Sequence, residues 1–411
     1  MPKTFQISTL GCKLNYSESS HIARELHGHG FESSSNPDYY ILNTCTVTSV
    51  AEKKARSLIA QFHRKNPKAE IILIGCFAAR DKALVESLPG VSKVFGSEDK
   101  MNVISYLAPR TSHLAPHPFF STFSSHERTR SFLKIQDGCD YHCSYCAVAR
   151  ARGNSRSDTI ENVMTNLDKI AQLDCKEVVL TGVNTGDFGR KNSETFFQLL
   201  KEIDTRKPVE RVRISSIEPN LLTDEIIHLF AGSKVLMPHF HIPLQSGSDN
   251  VLATMRRRYT TAFFADKIYK IKTQMPHACI AVDLISGFPT ETEADFAETV
   301  SFLNKLPVSY LHVFTYSKRP QTPAIEMKTQ VKDSVKKERT KILLQLSETK
   351  KTAFYQEHIN TQRAVLFEDD VKNRMIFGFT DNYIRVSAPY NENISNQIID
   401  WQLTEYNTAG K

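Results

Sequence analysis

Between positions 136 and 146 the chain reads Gln136-Asp137-Gly138-Cys139-Asp140-Tyr141-His142-Cys143-Ser144-Tyr145-Cys146, with three cysteines directly after a predicted strand. Three thiolates at this spacing can hold three irons of a [4Fe-4S] cube and leave the fourth iron without a protein ligand. An iron with an open position can bind and reduce a small molecule, so the run constrains chemistry as well as fold. A structural zinc knuckle is the alternative, with His142 available as a fourth ligand. Tyr145 just before the last cysteine, and the location after the first strand of a βα series, argue for a cofactor-binding loop.

Strand and helix patterns alternate along most of the chain, which predicts an α/β protein. In the first hundred residues strands are expected at Phe5–Leu10, Tyr39–Asn43 and Ile71–Ile74, with helices at Ser17–His27, Val50–Arg64 and Ala79–Leu88. This is an open parallel sheet with helices on its faces, assigned to residues 1–107. Residues 108–130 are rich in Pro, Ser and His, lack a period, and read as a linker. Six further strands, at Ser131–Gln136, Glu177–Thr181, Arg211–Ser215, His239–Pro243, Ile280–Ile285 and Tyr310–Phe314, predict a partial (β/α) barrel over 131–327. A Lys-rich helical connection at 328–358 leads into short antiparallel strands, a small C-terminal β-domain at 359–411.

Cys12, Cys45 and Cys76 each follow one of the first three predicted strands. In open α/β sheets the C-terminal strand edge is where ligands bind, so the three thiols converge on one place. Gly11 and Gly75 allow the backbone to turn beside a bulky group. This set reads as a second iron–sulfur site, with zinc the other candidate and core packing the bland one. Cys175 and Cys279 lack partners and read as core residues.

The CxxxCxxC run resembles that of the radical S-adenosylmethionine superfamily. The cysteines in GCKLN, NTCTVT and GCFA resemble those of its methylthiotransferases. Further matches are ARGNSRSDT, TGVNTGDFG, HIPLQSGSDNVLATMRRRYT, LISGFPTETEADF and HVFTYSKRPQTPA, so the resemblance runs from Thr9 to Ala324. Its wording is most similar to the branch that modifies threonylcarbamoyl-adenosine in tRNA. The alternatives are the branch acting on isopentenyl-adenosine and the one acting on an aspartate of a ribosomal protein. The chain departs from the family at Asn154, where a basic residue is common, and at Thr290 and Gln321, where Gly is usual.

The resemblance implies two [4Fe-4S] clusters and S-adenosylmethionine as cofactors. Cys139, Cys143 and Cys146 would hold the cluster that cleaves S-adenosylmethionine to a 5′-deoxyadenosyl radical. Cys12, Cys45 and Cys76 would hold a sulfur-donating one, and these six are the candidate catalytic and metal-ligating residues. Tyr145 is expected near the adenine, and the C-terminal strand edge offers Thr181, Gly182 and Asn184 for the rest of the cofactor. Glu218 or Gln245 is expected at the ribose, and Arg256 or Arg156 at the methionine carboxylate. The C-terminal β-domain resembles a TRAM domain. A reductant protein of flavodoxin or ferredoxin type is implied as a partner, and nothing requires an oligomer.

An RNA substrate needs basic contacts to phosphates. The candidates are Arg128, Arg130, Arg150, Arg152, Arg156, Arg256–Arg258, Lys336, Lys337, Arg339 and Lys341, with Tyr383 and Arg385 in the terminal domain. The net charge of +7 permits a polyanionic partner without demanding one. From Asn360 onward the chain carries five basic and seven acidic residues, so attraction must come mostly from the other domains. The first residues, MPKTFQISTLGCKLN, contain no signal-peptide core, and no stretch approaches a membrane span. A cytoplasmic protein without membrane contact is expected.

Overall fold

The computed structural model describes residues 2–46, 49–80, 82–108, 119, 121–125 and 129–408. Five strands, β1 (Thr4–Thr9), β2 (Glu32–Ser33), β3 (Tyr39–Thr44), β4 (Glu70–Gly75) and β5 (Val91–Phe95), form a parallel sheet in the order β2-β1-β3-β4-β5. β3 and β4 are unbroken apolar runs because both of their faces are covered. Ile41, Ile72 and Ile74 pack on one side against Ile22, Leu26 and Val103. Tyr40, Leu42 and Leu73 pack on the other against Ala55, Ile59 and Phe62.

The helix expected at Ala79–Leu88 is instead two short ones, Cys76–Arg80 and Lys82–Glu86. The first begins at Cys76 because the chain turns directly out of Gly75, whose φ is +97°. β5 and the helix Asn102–Leu107 carry too few residues to leave a clear period, and sequence reading misses both.

A second body contains β6 (Thr122–Phe123), β7 (Arg130–Lys134), β8 (Gln136–Asp137), β9 (Arg156–Ser157), β10 (Glu177–Thr181), β11 (Arg211–Ile214), β12 (His239–Gln245), β13 (Cys279–Ser286) and β14 (Tyr310–Thr315). β7, β10 and β11 form one parallel group and β12, β13 and β14 another. Single parallel bridges, Val212 to Leu236 and Ser216 to His241, join the two groups into a six-stranded partial barrel. β6 runs antiparallel on the free edge of β7.

Side-chain alternation assigns the two faces of the barrel. Leu133, Leu180, Ile214, Ile242, Val282 and Leu311 lie in the apolar layer under the helices. The alternate positions, among them Lys134, Glu177, Arg213, His239, His241, Asp283 and His312, face the lumen and are polar.

The helix Asp333–Gln356 lies along β14 and β13. It leads to β15 (Gln362–Lys372), β16 (Met375–Thr380), β17 (Arg385–Pro389) and β18 (Ile398–Gln402), an antiparallel sheet in the order β17-β16-β15-β18. This sheet docks on the lower rim of the barrel. The Arg211 guanidinium donates to the carbonyl of Ala364 (2.8 Å), and that of Arg213 to Thr380 (2.8 Å) and Asp381 (2.7 Å). Among the described residues no helix is long and apolar enough to cross a membrane.

Candidate cofactor and substrate site

The 139–146 loop is tied down on three sides. The Cys139 N–H donates to the Gly153 carbonyl (3.1 Å), and the Ser144 N–H and hydroxyl donate to the carbonyls of Met255 (3.1 Å) and Thr254 (2.9 Å). The Ala324 N–H donates back to the Ser144 carbonyl (2.9 Å). Each sulfur also receives a donor: the Tyr141 N–H at Cys139 (3.3 Å), the Val148 N–H at Cys146 (3.4 Å) and the Arg257 guanidinium at Cys143 (3.1 Å). Burial pushes the Cys139 thiol up to about 12 and the Cys146 thiol up to about 11. Neither ionises near neutral pH unless a metal takes the proton's place.

Arg257, not Arg256, faces this loop. The helix Asp249–Thr254 ends at Met255, and Arg256 adopts a left-handed φ of +59°. Its N–H donates to Ala253 (2.9 Å) while that of Arg257 returns to Leu252 (2.9 Å), so the chain reverses. Arg256 is left exposed. Arg257 turns inward to pair with Glu218 and reaches the hydroxyls of Tyr259 (3.0 Å) and Tyr145 (3.4 Å). The Tyr145 ring packs on Phe288 in a T-shape.

The other three cysteines lie at the C-terminal edge of β1, β3 and β4. Cys12 precedes the helix Lys13–Gly28, Cys76 opens the next short helix, and Cys45 lies beside Gly11. Gly11 and Gly75 both have left-handed φ, and a Cβ on Gly11 would come within 2.8 Å of the Cys45 Cβ. Only glycine fits there. Asn15 braces the edge, its amide donating to the carbonyls of Leu10 (2.7 Å) and Thr44 (3.2 Å).

The two cysteine loops adjoin. The helix Cys76–Arg80 packs against the helix Val148–Arg152, which begins two residues after Cys146. Arg152 crosses the junction, donating to Asn15 and pairing with Asp137 (2.9 Å) and Glu18 (3.4 Å). Glu18 also receives Lys100 (2.7 Å) and Lys134 (3.0 Å). All of these side chains are buried.

The residues present fit the groups that the cysteine spacing calls for. Each triplet offers sulfur alone, the donor set of an iron–sulfur cube. Among the described residues, the group of potential ligand atoms close enough to share one ion, within 4.8 Å, is His241, Asp283 and His312 on the lumen wall, not a cysteine triplet. Polar atoms also await a guest above the barrel. Both polar side-chain atoms of Asn184, the Ser215 hydroxyl and the Asn220 carbonyl oxygen are buried with no partner among the described residues, an uncommon state that a polar ligand relieves.

The other expected contacts are dispersed. Thr181 is buried and bonded to the Leu133 carbonyl (3.2 Å), and Gly182 rests against Gln136. The Asn184 N–H donates to Gln136 (2.9 Å), which leaves its amide directed elsewhere. Glu218 is held by Arg257. Gln245 ends β12 with a φ of +70°, after a register shift at Pro243.

Several residues expected at RNA are not free to meet it. Arg152 is consumed at the domain junction. Arg156 donates to the Arg152 carbonyl (2.6 Å) and pairs with Asp137 (3.3 Å). Arg130 pairs with Glu368 (2.6 Å). Tyr383 is stacked between His239 and Phe379, with centroids 4.2 and 4.7 Å away, and so seals an interface. Arg385 lies over Phe377. Lys336 and Arg339 are buried, the latter on Glu291 (2.6 Å), because their helix packs on the barrel. Arg150, Arg256, Arg258, Lys337 and Lys341 remain exposed, and Arg128 lies outside the described residues.

Cys279 is buried in the core beneath the C-terminal sheet, and Cys175 donates to the Glu177 carbonyl (3.2 Å). Sequence reading assigns Arg257 to RNA, where the structure turns it inward to Cys143 and Glu218, and misses Glu18 and the lumen histidines. Only the last have a visible signal, the period-two placement of His239 and His241.

Comparison with known proteins agrees with this layout. The radical SAM superfamily matches residues 133–303, and an uncharacterized protein family, UPF0004, matches residues 4–96. The chain is 37% identical to the threonylcarbamoyladenosine tRNA methylthiotransferase MtaB of Bacillus subtilis, over 98% of each chain. It is 36% identical to that of Thermotoga maritima, over 93% of this chain and 91% of the relative. A tRNA-2-methylthio-N(6)-dimethylallyladenosine synthase of Aquifex aeolicus is 31% identical over 93% and 92%. Among solved structures, the radical S-adenosylmethionine methyltransferase TsrM of Kitasatospora setae shares the fold. Its TM-score is 0.59 at 13% identity, covering 79% of this chain and 77% of that one.

Proposed function

The chain belongs to the radical SAM tRNA methylthiotransferases, and we propose that it adds a methylthio group at C2 of threonylcarbamoyl-modified adenosine beside the tRNA anticodon. It is an enzyme of the MtaB-like kind, with S-adenosylmethionine and two [4Fe-4S] clusters as cofactors. In this reading Cys139, Cys143 and Cys146 hold one cluster, and Cys12, Cys45 and Cys76 the other. When bound, the first supplies the electron for cleavage of S-adenosylmethionine and the second the sulfur.

The observation that carries the proposal is the junction of the two cysteine loops through Arg152. A reactive carbon must meet its sulfur donor before it escapes, so both loops must serve one chamber. Lys134 and Arg152 of the barrel body pair with Glu18 of the N-terminal body and hold the two together, with Lys100 and Asp137 completing the network. Arg257 and Tyr259 fix the 139–146 loop from the barrel side. In this reading the atoms of Asn184, Ser215 and Asn220 that lack partners among the described residues accept S-adenosylmethionine. Phe314, half exposed at the end of the lumen face, offers a surface for a planar base.

The division of labour follows: residues 1–107 donate sulfur, 131–327 generate the radical chemistry, and 359–411 contact RNA beyond the modified base. Residues 108–130 and 328–358 connect them. Arg150, Arg256 and Arg258 are the phosphate contacts nearest the cysteine loop, and a flavodoxin or ferredoxin is the electron donor. We place the activity in the cytoplasm, where the tRNA is. Nucleoside mass spectrometry on tRNA from a deletion strain tests the substrate. Loss of methylthio-threonylcarbamoyladenosine supports it; loss of the isopentenyl counterpart, or of a modified ribosomal aspartate, rejects it.

A further inference from the structure

We propose that Lys13 anchors a carboxylate of the substrate: its ammonium, on the residue after Cys12, reaches into the barrel lumen and pairs with the anionic end of the group on N6 of the adenine. The inference rests on the threonylcarbamoyl reading above, because that substituent ends in a carboxylate and an isopentenyl group does not.

Lys13 begins the first helix, and its ammonium stands 5.9 Å from the ring centre of Phe132, a lumen-facing residue of β7. It lies within electrostatic reach of Arg130, Arg213 and Glu177, and of His239 and His312 on the opposite strands. Among the described residues it has no hydrogen-bond or ion-pair partner.

The other lumen cations are occupied. Arg130 is on Glu368, Arg213 on Glu177 (2.9 Å) and Lys134 on Glu18. The lumen carboxylates are occupied too, Glu177 by Arg213 and Asp283 by His241 (2.6 Å). Among the described residues, the Lys13 ammonium beside the proposed sulfur donor is left without a bonded partner. His239 Nδ1, more than nine-tenths buried, adds a polar atom on the same wall that has no partner among the described residues.

Glu177, the carboxylate that acts on this ammonium, is held by Arg213, and a half-buried ammonium with no bonded counter-ion is matched best by an anion brought in from outside. In adenine, C2 and the C6 that bears N6 flank the same ring nitrogen, so an anchor for the N6 substituent also positions C2. The anchor's position next to Cys12 thus couples recognition to the site of sulfur transfer.

The test uses the anaerobically reconstituted full chain and anticodon stem-loops carrying threonylcarbamoyladenosine as the free acid or its methyl ester. The wild type is expected to bind the acid about 30-fold more tightly than the ester. Lys13→Met should bind both equally weakly while keeping its iron and its RNA-independent cleavage of S-adenosylmethionine. Lys13→Arg should keep a preference for the acid.

Equal binding of acid and ester by the wild type overturns the assignment, as does an acid preference surviving in Lys13→Met. Loss of S-adenosylmethionine binding by Lys13→Met also overturns it, since the lysine would then serve the cofactor. If Lys13→Met fails to take up iron, the wild-type comparison and Lys13→Arg decide. Conversion of an isopentenyl stem-loop alone removes both the substrate reading and this one, whereas equal conversion of acid and ester removes only this one.

Discussion

The guanidinium of Arg257 donates to the sulfur of Cys143 at 3.1 Å while its other end pairs with Glu218. A hydrogen bond to a cluster sulfur stabilises negative charge on it and tunes the cluster's potential. Arg257→Met is expected to retain iron but to cut formation of 5′-deoxyadenosine at least about tenfold, since breaking a buried pair costs about 3–5 kcal/mol. Paired iron assays and product quantification check this; unchanged cleavage would rule out the tuning role.

The two cysteine triplets should be separable. Replacing Cys12, Cys45 and Cys76 by Ala is expected to lower iron from about eight to about four per chain. Cleavage of S-adenosylmethionine should persist while the methylthio product disappears. Replacing Cys139, Cys143 and Cys146 should abolish both, as a combined iron and nucleoside analysis would reveal.

Thr290 and Gln321 sit at φ of +75° and +61°, where the family usually has Gly. The Thr290 hydroxyl is in addition buried without a partner among the described residues. A side chain in this region costs roughly 1–2 kcal/mol, partly offset by the entropy that Gly loses on folding. Thr290→Gly should therefore stabilise the fold by about 1 kcal/mol in urea unfolding. Gln321→Gly should gain less, because Gln321 accepts a bond from Arg150 (2.8 Å).

Burial alone would raise the Glu18 carboxyl, but Lys100, Lys134 and Arg152 together bring it down to about 2. A depressed acid stabilises the fold above its unfolded value, near 4.5, and that contribution fades as pH falls toward 2. Glu18→Gln is expected to cost about 3 kcal/mol at neutral pH. The gap to wild type should close through that acid window, and a gap independent of pH would show that packing, not charge, is at work.

What the sequence makes legible follows from which forces are local. β3, β4 and the barrel strands are readable because an apolar run or an alternation is written into consecutive residues. The cysteine loops are readable because ligand spacing is short. Arg257 is hidden because the left-handed turn at Arg256 is made by an arginine, so no glycine announces it. Glu18 and Lys336 look like solvated positions of polar helices, and Lys100 like a solvated turn residue, until another body packs over them. Tyr383 is misread for the same reason: a lone aromatic on a β-strand pattern serves a stacking platform or an interface equally well, and only the approach of His239 decides.

The grip of Arg211 and Arg213 on the C-terminal sheet closes on peptide carbonyls, whose positions depend on the path of the main chain and hardly on which residues supply them. A lineage can therefore rewrite the outward side chains of that sheet without unseating it. A head proposed to meet nucleic acid is thus free to change its taste for partners while the mounting stays fixed.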